Sequence, residues 1–500
     1  MLASTFSKKI IGILIAIFML YLAFRDQLWS LETPVFLKQP LTSFTISATH
    51  TTNTTPNDPS IPNIPIESAE SRTQIANLIR KLHEAAPPKL TEPAACIGRT
   101  LGVEDVTNDT ERRNVTPVSD DQVHAARIAH ENVRDIIRSF SHLVPYTSKS
   151  KGIVTVAGGR YTGALLVSLR MLRRTNSTLP VEVFMPNAED YNEHTCEVVL
   201  PSLNARCVMI PQYENLTIAN YQYKIFAVIL SSFEDVLFLD ADNFPIVDPV
   251  EWIEAKVYKD TGYVLWPDFW WASTSPHYFQ VLNVPTPSLL SLGTTESGQI
   301  IISKRTHSDV LLLVLYYNMF GPSFYYPLLT QCDAGQGDKE TWLYAAIALQ
   351  KDYYQVRQKN GIIGHHSNDG FKSASMMQHN PQDDYSTYLQ EKKEKKEHPL
   401  YRKDETAEVV FMHHNLIKLS PVEMIGWIQE NEGSRMWGDK KNTMDRFKGQ
   451  DLESTVWEEV LWVGCECGDS LVNWSPGVCE GLRNHWGGIV AREAEEDVRS

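Results

Sequence analysis

Short apolar runs and amphipathic helical patterns follow one another along the middle of the chain. After the apolar run at 152–161, four leucines fall on one helical face: Leu165, Leu166, Leu169 and Leu172. Alternation of this kind is typical of an α/β domain with a mainly parallel sheet. The runs that predict buried strands are GIVTVAGGRY at 152–161, PVEVFMPN at 180–187, ARCVMI at 205–210 and DVLFLD at 235–240.

The pattern continues on both sides of these runs. TGYVLWPDFWW at 261–271 and SGQIIIS at 297–303 predict further strands, and WLYAAIAL at 342–349 predicts a buried helix. Two amphipathic helices are expected before the first strand. One begins near Ser71 and ends before a proline pair, and the other runs from about Asp121 to His142.

The N-terminus carries a charge-free apolar run, IIGILIAIFMLYLAF at 10–24, which follows Lys8 and Lys9. We interpret it as an uncleaved transmembrane anchor, because no small-x-small cleavage site follows it. The lysines before the run predict a cytosolic N-terminus and a lumenal remainder, which is type II topology. A cleaved signal peptide and a cytosolic protein with an apolar first helix are the alternatives.

Composition along the chain predicts five regions. The proline-rich stretch at 34–66 cannot bury enough apolar surface to order itself, and it predicts a stem. Six acceptor tripeptides for N-glycosylation agree with a lumenal chain: Asn53, Asn108, Asn114, Asn176, Asn215 and Asn473. The expected division is a cytosolic tail at 1–9, an anchor at 10–24, a stem at 25–120, a catalytic domain at 121–435 and an extension of unknown role at 436–500.

Charge and cysteine content exclude some classes of protein. The chain has 46 Lys and Arg residues against 61 Asp and Glu residues, a formal net charge of −15. A duplex-DNA binder needs a basic surface, so nucleic acid is not an expected partner. The seven cysteines have no zinc-ribbon spacing and predict disulfides only as accessories.

The strongest chemical signal is VLFLDADNFPIVDP at 236–249. An apolar strand delivers Asp240 and Asp242 just beyond its C-terminal end, where open α/β sheets bind ligands. Because side chains alternate in extended chain, both carboxylates face one side and can address one cation. Oxygen ligands favour Mn²⁺ or Mg²⁺. The alternative is a turn that these residue types merely stabilise.

Several further motifs accompany this pair, and together they resemble the fungal Golgi α-mannosyltransferases, particularly the α-1,2-mannosyltransferases that begin side branches on cell-wall mannan. The resemblance covers roughly residues 150–430. It implies a GT-A-like glycosyltransferase fold, a GDP-mannose donor, a divalent metal and type II Golgi membership. The stretches that carry it are GIVTVAGGRY, LPVEVF, LPSLNARCV, YQYKIFAVILSSFEDVLFLDADNFPIVDP, TGYVLWPDFWW, ESGQIIIS, GDKETWLYAA and VFMHHNLIKLSP.

The resemblance implies a metal and donor site. Asp240 and Asp242 become metal and nucleotide-sugar ligands, His413 the third metal ligand with His414 as its competitor, and Lys418 a diphosphate contact. The residues expected to face the nucleotide or its phosphates are Gly158, Gly159, Arg160 and Lys224. For the glycines a tight turn is the alternative role, and for the lysine a surface ion pair.

Four acidic residues are candidates for holding mannose hydroxyls or carrying the acceptor proton: Asp268, Glu296, Asp338 and Glu340. A structural hydrogen bond is the alternative role for each, and a helix cap is a strong alternative for Asp338. Three tryptophans could stack on sugar faces or simply pack in the core: Trp266, Trp270 and Trp271.

The function that the resemblance implies is transfer of mannose from GDP-mannose, with retention, to α-mannoside acceptors of protein-linked mannan or N-glycans, in the Golgi membrane. Retention follows because donor and product bonds are both α, and it allows either a carboxylate nucleophile or same-face attack. An α-1,2 linkage is favoured over α-1,3, and Golgi enzyme complexes are further expected partners. A non-catalytic lectin-like or scaffold subunit and a metal-dependent phosphohydrolase are the competing interpretations.

Overall fold

A computed structural model of the chain describes residues 69–90, 102, 106, 107, 110–213, 216–395, 401, 402 and 407–499. Its strands are β1 Thr147–Val156, β2 Val181–Met185, β3 Ala205–Met209, β4 Phe233–Leu239, β5 Asn243–Pro245, β6 Tyr263–Pro267, β7 Thr295–Ser303, β8 Tyr354–Gln355, β9 Gly361–Ser367, β10 Gly370–His379 and β11 Val409–His413.

The larger sheet has the strand order β3-β2-β1-β4-β7-β6-β8. Strands β1 to β4 run parallel, and β7 lies antiparallel between β4 and β6. The outermost strand, β8, is parallel to β6. The predicted α/β class with a mainly parallel central sheet is therefore confirmed. Its first four strands take the 3-2-1-4 order of nucleotide-binding α/β sheets, whose ligands bind beyond the carboxyl ends of the strands.

A smaller antiparallel sheet brings a late segment of the chain back to the end of β4. Its strand order is β5-β11-β10-β9. In this sheet His413 lies opposite Asn243, and Met412 lies opposite Phe244. The pairing of β11 with β5 therefore carries His413 to the segment that begins just after Asp242.

Helices occur where the sequence predicted them: before the first strand, after it, and at WLYAAIAL. Short 3-10 and π turns accompany them. The helices are α1 Ala69–Glu84, α2 Asp120–Phe140, α3 Thr162–Arg174, α4 Leu200–Ser202, α5 Gln222–Leu230, α6 Val250–Glu254, α7 Lys256–Thr261, α8 Pro276–Val281, α9 Lys304–Met319, α10 Tyr326–Thr330, α11 Lys339–Leu349, α12 Pro381–Lys393, α13 Pro421–Glu430, α14 Lys440–Arg446, α15 Leu452–Glu466 and α16 Pro476–Arg499.

Two apolar clusters cover the two faces of the larger sheet. Alternation along β4 sends Leu237 into one cluster and its neighbours Val236 and Phe238 into the other. Trp457 of α15 and Leu482 of α16 belong to the cluster of Leu237. The segment after residue 435 therefore shares a core with the central sheet.

The predicted stem also contains a packed helix. Leu78 and Leu82 of α1 belong to the same cluster as Val310 of α9. Just after α1, the backbone carbonyl of Ala85 accepts a hydrogen bond from the Tyr316 hydroxyl, at 2.7 Å. Residues 69–85 are thus held against the domain.

Disulfides link Cys196 to Cys207 and Cys465 to Cys479. Both close short loops of a domain with a large apolar core, in agreement with the accessory role predicted. Among the described residues, no helix combines the length and the apolar character needed to cross a membrane. The predicted anchor at 10–24 and the proline-rich stretch at 34–66 lie outside the described residues.

Candidate metal and nucleotide-sugar site

The aspartate segment after β4 is fixed by hydrogen bonds on two sides. The Asp240 N–H donates to the Gly298 carbonyl at 2.9 Å, and the Asn243 side chain donates to the same carbonyl at 2.8 Å. From α3, the Ser168 hydroxyl donates to the Ala241 carbonyl at 2.8 Å. The backbone is thus held by contacts that use neither carboxylate.

His413 completes a three-residue group at the end of β4. Its Nε2 atom lies 3.3 Å from Asp242 Oδ1 and 3.9 Å from Asp240 Oδ2. One ligand atom from each of the three residues lies within 4.8 Å of the others. Two carboxylates and an imidazole form a donor set that suits a divalent cation such as Mn²⁺. The residues present therefore fit a divalent cation.

The neighbouring histidine faces away from the carboxylates. The His414 ring stacks on Phe244, with centroids 5.8 Å apart, and lies 5.7 Å from the Trp437 ring. Its backbone N–H donates to the Asp242 carbonyl at 2.8 Å. Adjacent residues of an extended strand point to opposite faces, which separates the two histidines.

Glu296 lies behind His413 rather than in open space. Its Oε1 atom is 3.2 Å from His413 Nδ1 and accepts the Gly298 N–H at 2.6 Å. Its Oε2 atom accepts from Gln299 Nε2 at 2.5 Å. Both oxygens of Glu296 therefore have neighbours within the protein, an arrangement that favours orienting His413 over holding a sugar hydroxyl.

Gly298 is a site residue that the sequence reasoning did not single out. A Cβ atom at this position would lie only 2.5 Å from His413 Cε1 and 2.7 Å from Glu296 Oε1. Only glycine lets the histidine ring approach this strand so closely. The sequence feature that could have indicated it is the glycine between Ser297 and Gln299 in the ESGQ motif.

Two lysines bring positive charge to the aspartates. Lys418 pairs with Asp242 Oδ2. Lys224, on α5, donates to Asp240 Oδ2 at 3.0 Å and to the Ser297 hydroxyl at 3.1 Å. Both predicted phosphate contacts therefore lie beside the carboxylate pair.

The charged side chains around the metal site shift one another's pKa values. Burial alone would raise the pKa of Asp242, but His413 and Lys418 outweigh it and hold that pKa below its ordinary value. Burial alone would lower the pKa of His413, but Glu296 and Asp242 raise it to about 10. Without a cation His413 is therefore an imidazolium at neutral pH, and a cation must displace its proton.

A second polar cluster surrounds the GDKET motif. Lys339 donates to Asp268 Oδ2 at 2.7 Å and to the Thr294 hydroxyl at 3.3 Å. Glu340 accepts from the Thr294 hydroxyl and, at 3.2 Å, from the Thr295 N–H. Its Oε2 atom is buried without a hydrogen-bond partner, and burial raises the pKa of Glu340 to about 7.

Asp338 joins this cluster to the aspartate pair. Its Oδ1 atom lies 3.9 Å from Lys224 Nζ, and its Oδ2 atom accepts from Trp342 Nε1 at 2.9 Å. Asp338 precedes α11 directly, but its side chain makes no capping hydrogen bond. Its carboxylate therefore contacts Lys224 and Trp342 and does not cap the helix.

The glycine turn after β1 is packed against the turn after β2. A Cβ atom at Gly158 would lie 2.5 Å from Asp190 Cβ, so the two turns can approach only because this residue is glycine. Gly159 has a φ of +53°. Arg160 is exposed, and its guanidinium lies 5.1 Å from the centre of the Tyr161 ring.

Two of the three candidate sugar-stacking tryptophans are core residues. Trp266 is fully buried and donates its ring N–H to the His379 carbonyl at 2.8 Å. Trp271 is buried and donates to the Leu289 carbonyl at 3.1 Å. The third, Trp270, is half-buried. Core packing thus accounts for Trp266 and Trp271.

Comparison with known proteins shows which family the sequence resembles. Residues 150–292 and 288–380 match the Mannosyl_trans3 family, described as a mannosyltransferase family. The resemblance to mannosyltransferases is confirmed over this stretch. All the candidate site residues except His413 and Lys418 fall within it.

Curated relatives extend the likeness. Alpha-1,2-mannosyltransferase MNN21 of Candida albicans is 35% identical over 63% of this chain and 58% of its own length. Alpha-1,2-mannosyltransferase MNN2 of Saccharomyces cerevisiae is 34% identical over 54% of this chain and 52% of its own. The chain thus spans little more than half the length of these relatives.

Among solved structures, the glycosyltransferase GlyE of Streptococcus pneumoniae matches 41% of this chain and 45% of its own, at 12% identity and a TM-score of 0.29.

Proposed function

We propose that this chain is a metal-dependent α-mannosyltransferase that uses GDP-mannose and extends α-mannoside acceptors of cell-wall mannan or N-glycans. The observation that carries the proposal is the group of Asp240, Asp242 and His413, placed within 4.8 Å in a chain that resembles α-1,2-mannosyltransferases. The α-1,2 linkage is taken from the relatives, and α-1,3 remains the alternative.

The donor would lie beyond the carboxyl ends of β1 and β4, between the glycine turn and the aspartates. Asp240, Asp242 and His413 would hold Mn²⁺, or alternatively Mg²⁺. A bound cation would supply positive charge to the diphosphate as its bond to mannose C1 breaks. Lys224 and Lys418 would add charged hydrogen bonds to the phosphate oxygens, which gain negative charge at that moment.

The polar cluster around the GDKET motif would bind the donor mannose and the acceptor. Asp268 and Asp338 have carboxylates that could accept hydrogen bonds from mannose hydroxyl groups. Glu340 has one oxygen without a hydrogen-bond partner and a pKa raised to about 7 by burial, properties suited to receiving the acceptor proton at neutral pH. Retention could then proceed through a carboxylate nucleophile or through same-face attack.

The location we propose is the Golgi membrane, with a type II anchor at 10–24 and a lumenal catalytic part. The charge-free run after Lys8 and Lys9 supports this topology. Association with other Golgi enzymes belongs to the same proposal. Protease protection of the full chain in sealed vesicles tests it, because cleavage after residue 30 without detergent would overturn a lumenal location.

The activity is tested by incubating the full chain with GDP-mannose, Mn²⁺ and short α-mannosides, and by determining the linkage formed. A new α-1,2-mannoside supports the proposal, and an α-1,3 product corrects the linkage alone. Mannose and GDP released regardless of acceptor would indicate a hydrolase. Sugar binding without any turnover would indicate a lectin-like or scaffold role.

A further inference from the structure

A large cleft borders the smaller sheet and the C-terminal segment of the chain. Its volume is about 1780 Å³, and its walls come from β9 and β10, from the segment 434–452 and from the end of α16. None of the candidate metal or donor residues lines it. Sites for single small molecules typically measure roughly 300–1,000 Å³, so this cleft has room for a ligand of several rings.

The cleft is connected to the metal site through two elements. Val409 lines the cleft at the start of β11, and His413 ends the same strand. Four residue steps of about 3.3 Å place these ends roughly 13 Å apart. Trp437 also lines the cleft and packs on His414, the neighbour of His413. One strand and one aromatic contact therefore link the wall of the cleft to the metal site.

Buried polar atoms in the cleft wall lack partners. The ring N–H of Trp437 and Nδ1 of His379 are buried and have no hydrogen-bond partner, and the two residues are 2% and 3% exposed. Leaving such groups unpaired is costly, so each calls for a hydrogen-bonding ligand group or water. An indole N–H and an imidazole nitrogen are suited to hydroxyl groups.

The charge of the walls favours a neutral ligand. Six lysines and arginines line the cleft against six aspartates and glutamates. At the rim, Phe371 of β10 is 45% exposed and Ile362 of β9 is 41% exposed, and the Phe371 ring lies 5.3 Å from the His366 ring. Exposed apolar faces beside polar groups suit the apolar faces and hydroxyl edges of a sugar.

We propose that this cleft binds a further stretch of the acceptor, as a neutral α-linked mannose oligosaccharide, while transfer takes place at the aspartate pair. The inference rests on the proposed function, since it takes the acceptor to be a mannose polymer. Binding energy gained at such a remote site can position the reacting end of a long acceptor.

The test compares acceptor lengths in rim variants of the full chain. Phe371→Ala and Ile362→Ala remove exposed rim side chains, and Ile128→Ala removes a matched side chain, 47% exposed, from α2 outside the cleft. We expect KM for a long oligomannoside to rise about 10-fold in Phe371→Ala, from loss of one aromatic contact. KM for a disaccharide and the thermal unfolding midpoint should stay unchanged.

Calorimetric binding separates this inference from the proposed function. The Asp242→Asn chain should bind the long oligomannoside without turnover, and adding Phe371→Ala should weaken that binding, whereas adding Ile128→Ala should not. Equal KM changes for long and short acceptors, or unchanged oligomannoside affinity in the Phe371→Ala background, would overturn the inference. If the wild-type chain binds the oligomannoside in the cleft but transfers no mannose, the proposed function is overturned and oligomannoside binding in the cleft is supported.

Discussion

Glu296 supports His413 from behind: its Oε1 atom lies 3.2 Å from His413 Nδ1, while Nε2 of the same ring lies 3.3 Å from Asp242 Oδ1. A carboxylate placed against the second nitrogen of a histidine fixes the ring orientation and raises its basicity as a ligand. The three residues come from β7, β11 and the segment after β4, so the site depends on the contact between the two sheets.

Replacing this carboxylate should weaken the metal site without removing a ligand. Glu296→Gln keeps the size of the side chain but removes the charge that faces His413. We expect the affinity for Mn²⁺ to fall by about 10- to 100-fold, the usual cost of losing such a partner. Titration of the purified chain with Mn²⁺ measures this, and wild-type affinity in the variant would assign Glu296 another role.

Gly298→Ala should displace His413, because the added Cβ would lie 2.5 Å from the ring. The expected result is a loss of Mn²⁺ affinity of at least about 10-fold. Gly426→Ala is the matched control, since a Cβ there meets nothing within 4 Å and alanine favours the surrounding helix. Equal affinities in the two variants would show that the approach of His413 to β7 is unimportant.

The adjacent histidines should respond differently to removal. His413→Ala should weaken Mn²⁺ binding by about 10- to 100-fold, with partial rescue of activity by excess Mn²⁺. His414→Ala should instead lower the free energy of unfolding by roughly 1–3 kcal/mol, because His414 packs between Phe244 and Trp437. Normal affinity in His413→Ala together with a deficit in His414→Ala would reverse the assignment.

The sequence predicted the position of the aspartates but not the environment of His413. The apolar run of β4 and the spacing of Asp240 and Asp242 are local features that determine where the carboxylates lie. The contact of Glu296 with His413 depends on a register between β5 and β11, whose strands are more than 160 residues apart. A hydrophobic pattern within one segment does not predict which distant strands pair. The role of Gly298 and the cleft beside Trp437 both depend on such pairing, so the sequence pattern could not predict them.

The metal-free chain should lose stability as pH rises. The folded pKa of His413, raised to about 10, exceeds its ordinary value of 6.5. Its contribution to stability is therefore complete below pH 6.5 and is lost as pH rises through about 10. The affinity for Mn²⁺ should increase over the same range, because the cation competes with that proton.

Thermal unfolding in EDTA between pH 6 and 10 checks this dependence. The unfolding midpoint of the wild-type chain should fall more steeply with pH than that of His413→Ala. Parallel pH profiles of the two chains would show that His413 does not titrate as the contacts with Glu296 and Asp242 require.

The most direct test is transfer of mannose from GDP-mannose to an α-mannoside, measured for the wild-type and Asp242→Ala chains after EDTA treatment and again after addition of Mn²⁺. The account predicts that EDTA abolishes transfer by the wild-type chain and that Mn²⁺ restores it. Asp242→Ala should remain inactive under both conditions while keeping the wild-type circular dichroism. Full wild-type activity in excess EDTA, or unchanged turnover in Asp242→Ala, would contradict a metal-dependent transferase built on this aspartate pair.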